Sequence, residues 1–213
     1  MSKTEDLINQ LSTDLAPVRR LRPPLVRAVM WLIGVGLMAG TAIALLADLG
    51  SMAQRVQNPD LALELIGTGL TGVLAIIAAF HLAIPGRSPL WALAPAPALA
   101  LWLLVSGLGC YQDWIVRGDQ VFVIGESFEC FLFMLGVSLP LAAMVILALR
   151  CAKPIAPAPV AALGGLGVAA LSALILQFFH PFSVTLVDLV FHLGAVLLII
   201  AYTTGSTGIW RTV

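Results

Sequence analysis

Apolar residues fall along this chain in long unbroken runs rather than at strand-like or amphipathic-helix spacing. Stretches without Asp, Glu, Lys or Arg cover 28–47, 65–86, 88–112 and 131–149, and a further apolar tract follows Lys153. Each is about as long as the ~20 residues a helix needs to cross ~30 Å of hydrocarbon, or longer. The pattern predicts membrane-spanning helices at roughly 26–48, 62–84, 89–109, 131–149, 159–179 and 184–205. The expected fold is all-α: a polytopic membrane protein built as a bundle of six transmembrane helices, preceded by a short cytoplasmic amphipathic helix. Residues 1–25 form the first part and residues 26–213 the second. Connections are short except for the outer loop 110–130. Pro95 and Pro97 should kink or break the third span, because proline lacks an N–H and crowds the preceding turn, and Pro140 should bend the fourth. Gly36 and Gly40, Gly67, Gly69 and Gly72, and Gly164, Gly165 and Gly167 are small residues of the kind that let membrane helices approach closely. No internal repeat and no inverted pair of broken helices is present, which argues against a transporter.

Before the first span the pattern changes. Thr4, Glu5 and Asp6 supply a capping oxygen and acids for a helix start. Leu7, Ile8, Leu11 and Leu15 then recur at helical spacing and make one apolar stripe on an otherwise polar helix. Pro17 and a basic run through Arg19, Arg20 and Arg22 to Pro23 and Pro24 end it. Two readings stay open: a helix lying on anionic lipid, or one that docks a soluble partner.

Composition excludes a soluble globular class. Of 213 residues 60% are hydrophobic and 10% charged, against about a quarter charged in soluble domains. The first residues are polar, with no apolar core of a cleavable signal. The net charge of zero hides an asymmetry. With the N-terminus in the cytoplasm, the inner side holds Lys3, Arg19, Arg20, Arg22, Arg27, Arg87, Arg150, Lys153 and Arg211, and the outer side only Arg55 and Arg117. Lys and Arg favour the inner side, so both termini are expected to be cytoplasmic, with Cys110 and Cys130 outside and Cys151 inside.

Cys110 and Cys130 close a connection that also carries Asp113, Asp119, Glu126 and Glu129. A structural disulfide, a redox- or metal-responsive pair and two silent thiols all fit that arrangement. His180 falls in the next turn on the same side, and Asp188 and His192 share a face of the last span. Asp188 is expected to lie further inside a span than any other acid, where an ionisable group points to function. Thiolate with imidazole suits zinc, copper or cadmium. An Asp188–His192 hydrogen bond that only sets helix register is the alternative. Trp114, beside Asp113, would shield the thiols. The other tryptophans (Trp31, Trp91, Trp102 and Trp210) mostly read as interfacial anchors, and His81 as an interface histidine. Cys151, next to Arg150, stands alone. The chain contains no CxxC, HExxH, phosphate-binding glycine loop or nucleophile elbow, so an enzyme is not expected.

Several short motifs occur in one order along nearly the whole chain. They are Asp14 to Pro24, the Ala-Ile-Pro-Gly-Arg-Ser run at 83–88, Gly109-Cys110 with Asp113-Trp114, Cys130, His180-Pro181-Phe182 and His192-Leu193-Gly194. Together they resemble the NrsF-type membrane proteins, negative regulators of extracytoplasmic-function sigma factors. The resemblance implies an anti-sigma factor of the bacterial inner membrane that holds its sigma factor at the cytoplasmic face and releases it under heavy-metal or oxidative stress. It carries the sensor role to Cys110 and Cys130, with a heavy-metal ion at that pair as the one candidate cofactor and no direct nucleic-acid contact. Cys151 has no counterpart in the family pattern. Since no soluble zinc-binding anti-sigma domain is present, capture would use Leu7, Ile8, Leu11 and Leu15, helped by the inner loops around Arg87 and Lys153. The rival class is a metal- or thiol-handling membrane protein with no sigma partner.

Overall fold

A computed structural model of the chain describes residues 3–13, 20–117, 124–179 and 186–211, and of these the side chains of all but 113, 114, 117, 124–127, 186, 209 and 211. The helices are α1 (Lys3–Thr13), α2 (Pro24–Leu46), α3 (Leu49–Arg55), α4 (Pro59–Leu82), α5 (Ala96–Arg117), α6 (Ile124–Arg150), α7 (Pro157–Phe179) and α8 (Leu186–Gly205). Short 3₁₀ turns, Pro89–Leu93 and Ser206–Arg211, precede α5 and follow α8. Among the described residues six segments are long and apolar enough to span a membrane, as the hydrophobic runs predict.

Local chemistry sets the ends. Pro24 opens α2 at a position where its missing N–H costs nothing. Asp48 caps α3 by accepting from the amides of Gly50 and Ser51, at 3.0 and 3.2 Å. The side chain of Asn58 accepts from the Asp60 amide at 3.0 Å, with Pro59 beginning α4. The third span is broken near its start, as its prolines predict: the 3₁₀ turn Pro89–Leu93 comes first and α5 begins at Ala96. Pro140, by contrast, sits inside a continuous α6.

The connection 110–130 differs most from expectation. α5 continues to Arg117 and α6 begins at Ile124, so most of that stretch is helix. Residues 110–117 contain neither proline nor glycine, and an α-helix closes its own hydrogen bonds whether lipid or water surrounds it. Asp119 lies outside the described residues.

α7 is the centre of the bundle. Of its most apolar window 67% is buried, against 11% for α2. α4, α6 and α8 pack around α7; α5 packs on α4 and α8, and α2 on α4. Lipid offers no hydrophobic drive between helices, so van der Waals fit must hold them. Glycines provide that fit at three crossings. A Cβ on Gly167 would lie 2.7 Å from Ile76, and one on Gly72 2.8 Å from Leu171, so α4 and α7 meet backbone to backbone. One on Gly67 would lie 3.0 Å from the Trp102 amide, and one on Gly165 would collide with Thr203. Gly36 and Gly40 behave otherwise: nothing lies within 4 Å of either position, and α2 turns Ile33, Leu37 and Leu45 outward. Ser138 donates to Ser172 at 2.8 Å across the buried contact of α6 and α7.

Two arginines mark the two ends. At the end where α2 and α7 begin, Arg27 donates to the carbonyl of Ala148 in the last turn of α6, with its guanidinium 5.2 Å from the Phe80 ring centre. At the opposite end, which carries 110–130, Arg55 donates to the carbonyl of Gln177 in the last turn of α7 at 3.2 Å. Both satisfy a carbonyl that a helix end leaves open. Trp31 and Trp210 are buried in the core rather than set at its surface, because α2 and the final 3₁₀ turn fold against the bundle there. The His81 ring stacks on that of Trp91, with centres 4.1 Å apart.

Candidate functional site

Both thiols of the 110–130 end are buried, Cys110 on α5 and Cys130 on α6. Cys130 sits in a small apolar cluster with Met134 of the same helix, Ala173 and Leu176 of α7 and Ala195 of α8; Trp102, Phe131 and Val196 pack against it. Phe128 and Phe131 also gather around Phe191 of α8, with ring centres 6.4 and 5.8 Å from it. α8 is thus a packing partner shared by the two thiol-bearing helices. Cys110 lies one helical turn beyond Ser106 on α5. Cys151, at the opposite end, is exposed and donates to the Leu147 carbonyl at 3.1 Å.

The expected supporting residues are placed as follows. Asp113 and Trp114 lie on the extended part of α5, with side chains outside those described, and His180 falls outside the described residues. Asp188 stands in the first turn of α8. His192, one turn on, has Nδ1 2.7 Å from the carbonyl oxygen of Asp188, so that nitrogen carries the proton and donates. Among the described residues no three His, Cys, Asp or Glu side chains converge to hold a metal ion.

Among the described residues Glu64 stands further into its spanning helix than Asp188 does. Asn58 and Pro59 start α4 earlier than the apolar run alone predicts, and this puts Glu64 past the first turn of a spanning helix. Its Oε1 accepts from Ser106 Oγ of α5 at 2.9 Å. The two line a cavity of about 290 Å³ between α4, α5, α7 and α8, together with Thr68, Gln177 and His192. Sequence reasoning missed this group. The apolar runs put Glu64 at the start of the second span, and nothing in the spacing from Glu64 to Ser106 or Gln177 announces that they meet. The one available signal is a carboxylate one turn into a span, once the helix start is set at the Asn58-Pro59 cap.

Of the proposed capture stripe, Leu7, Ile8 and Leu11 lie on α1, whose every described residue is exposed. Ser12 and Thr13 turn their hydroxyls back to the Asn9 carbonyl, at 2.9 and 2.8 Å, and end the helix. Leu15 lies outside the described residues.

No curated protein and no solved structure matches the chain. A family match does cover it from residue 11 to 207, from the last three residues of α1 to the final turn of the sixth span, under the description negative regulator of sigma F. That match spans nearly the whole chain and its six membrane-crossing helices, and the chain therefore belongs to the NrsF family of negative regulators of a sigma factor.

Proposed function

We propose that the chain is an integral anti-sigma factor of a bacterial inner membrane. Its termini lie in the cytoplasm, and α1 holds an extracytoplasmic-function sigma factor there until stress releases it. The observation that carries this reading is the stripe of Leu7, Ile8 and Leu11 on a fully exposed helix, at the head of a chain whose family regulates a sigma factor. Such a stripe suits a helix laid into an apolar groove on a partner. Leu15 extends it in sequence. The basic residues Arg20, Arg22 and Arg27 beside it support a cytoplasmic N-terminus. The protein works by sequestration, with no catalytic step and no direct contact with nucleic acid.

Cys110 and Cys130 are the sensors in this reading, with Asp113 and Trp114 beside them. Oxidation joins the two sulfurs while the oxidant takes two electrons and two protons are released; a thiophilic ion such as cadmium would bridge them as thiolates. Either event would tie α5 to α6, two helices that both pack on α8. Asp188 and His192 of α8, with His180, which follows α7 in the sequence, would adjust to that movement. The bundle carries the shift to α1 only if the bridged state prefers the released form. Moving an equilibrium from 1:99 to 99:1 takes about 5.5 kcal/mol of such preference.

The test is co-purification from bacterial membranes of the full chain and of a version lacking residues 1–16, with and without cadmium or dichromate. Stoichiometric sigma factor with the full chain only, lost on stress, is the expected result. Sigma factor retained after removal of 1–16 would move the grip to the loops near Arg87 and Lys153. Absence of sigma factor from both would leave the metal- or thiol-handling reading.

A further inference from the structure

Neither sigma capture nor a thiol bridge accounts for the cavity between α4, α5, α7 and α8. Its volume of about 290 Å³ stands near the lower bound of the ~300–1,000 Å³ usual for small-molecule sites. Its walls are mostly apolar, with Leu99 and Trp102 of α5, Leu166 of α7 and Val196 of α8. Polar groups are few and converge from four helices. The Thr68 hydroxyl is committed to the Glu64 carbonyl at 2.6 Å, and the His192 Nδ1 to that of Asp188 at 2.7 Å. The Glu64 carboxylate accepts one hydrogen bond, from Ser106.

A carboxylate inside a membrane bundle is costly unless a cation answers it. Arg55 acts on Glu64 only at longer range: among the described residues no close ion pair joins them, and the guanidinium donates instead to the Gln177 carbonyl at the end of α7. The cavity therefore has an apolar body and one carboxyl group with no close cationic partner among the described residues. It also has an approach. Leu103 of α5 and Leu193 of α8 both line it and both are exposed, so its wall between these helices reaches the outer surface of the bundle.

We propose that this cavity binds a lipophilic amine, a compact apolar molecule whose protonated nitrogen donates to Glu64 while its body lies against Trp102 and the leucines. A charge-assisted N–H···O bond in a dry site discriminates strongly against an uncharged analogue of the same length. The volume is too small for a whole diacyl lipid, but the amine can come from a free molecule or from an aminolipid headgroup reaching in. The position ties the site to both thiols. Cys110 lies one turn beyond Ser106, and Trp102, Ala173 and Val196 belong at once to the cavity wall and to the surroundings of Cys130.

The full chain in phosphatidylcholine nanodiscs, titrated calorimetrically with octylamine and with octanol against empty nanodiscs, tests this. Octylamine should bind saturably at one site and octanol at least tenfold more weakly. Glu64→Gln keeps an acceptor for Ser106 and loses the charge; it should weaken octylamine at least tenfold and leave octanol unchanged. Leu103→Trp, at the exposed rim, should block both ligands, which guards against a Glu64 variant that misfolds. Competition by added phosphatidylethanolamine would assign the amine to a lipid headgroup; no competition would assign it to a free amine. Equal binding of octylamine and octanol, an unchanged affinity in Glu64→Gln, or binding that survives Leu103→Trp overturns the proposal. No readout involves a sigma factor, so failure of sigma capture leaves this result standing.

Discussion

Single side chains in this protein act mainly by closing helix ends and crossings that lipid cannot solvate. Arg27 and Arg55 each satisfy a carbonyl in the last turn of a neighbouring helix, one at either end of the bundle. Replacing Arg27 by Met should cost about 2 kcal/mol, from a charge-assisted hydrogen bond and a cation–π contact. Reversible unfolding in mixed micelles would measure it, and an unchanged midpoint would mean that Arg27 merely rests there. The Ser138–Ser172 bond is a smaller case. Ser172→Ala should cost about 0.6 kcal/mol by the same assay, the average for such bonds between membrane helices, and well under 2. These partners were not legible in the sequence, because a lone arginine at a span end reads equally well as a topology signal. Glu64 was hidden for a related reason: its depth depends on where Asn58 and Pro59 start the helix.

At the scale of elements, the glycines separate into those that make contacts and those that face outward. Gly167→Val places a methyl-bearing carbon where Ile76 and the Gly72 carbonyl already sit, and should force α4 and α7 apart at about 1–3 kcal/mol. Gly40→Val, in open space, should stay within about 0.5 kcal/mol. A comparison of the two in one unfolding series checks the crossing, and equal effects would contradict it. The small-residue pattern predicted close approach for both glycines, but a pattern cannot say which face of a helix meets another helix. α1 gives the opposite test. Its apolar residues are exposed and bury nothing in the bundle, so Leu11→Asp should abolish sigma capture without moving the unfolding midpoint. A fall in stability alongside would mean that α1 docks on its own bundle.

For the whole molecule, the question is whether the thiol end and the α1 end communicate. Cys110→Ser combined with Cys130→Ser should insert, fold and hold its sigma factor, yet stay repressive under cadmium or dichromate. Induction of the regulon at the wild-type level in that variant would leave the thiols structural or silent. The sequence by itself determined the six spans, the all-α class, the break before α5, the apolar stripe of α1 and the family. Each of these rests on run length, local periodicity, a proline or the order of short motifs, and so is written along the chain. Only the tertiary structure decided that α7 is the centre, that α5 packs on α4 and α8, and that Glu64, Ser106, Gln177 and His192 line one cavity. The reason is physical. Lipid treats every apolar helix face alike, so the choice of neighbours falls to close steric fit at a few glycines and to hydrogen bonds between distant residues, and neither leaves a periodic trace in the sequence.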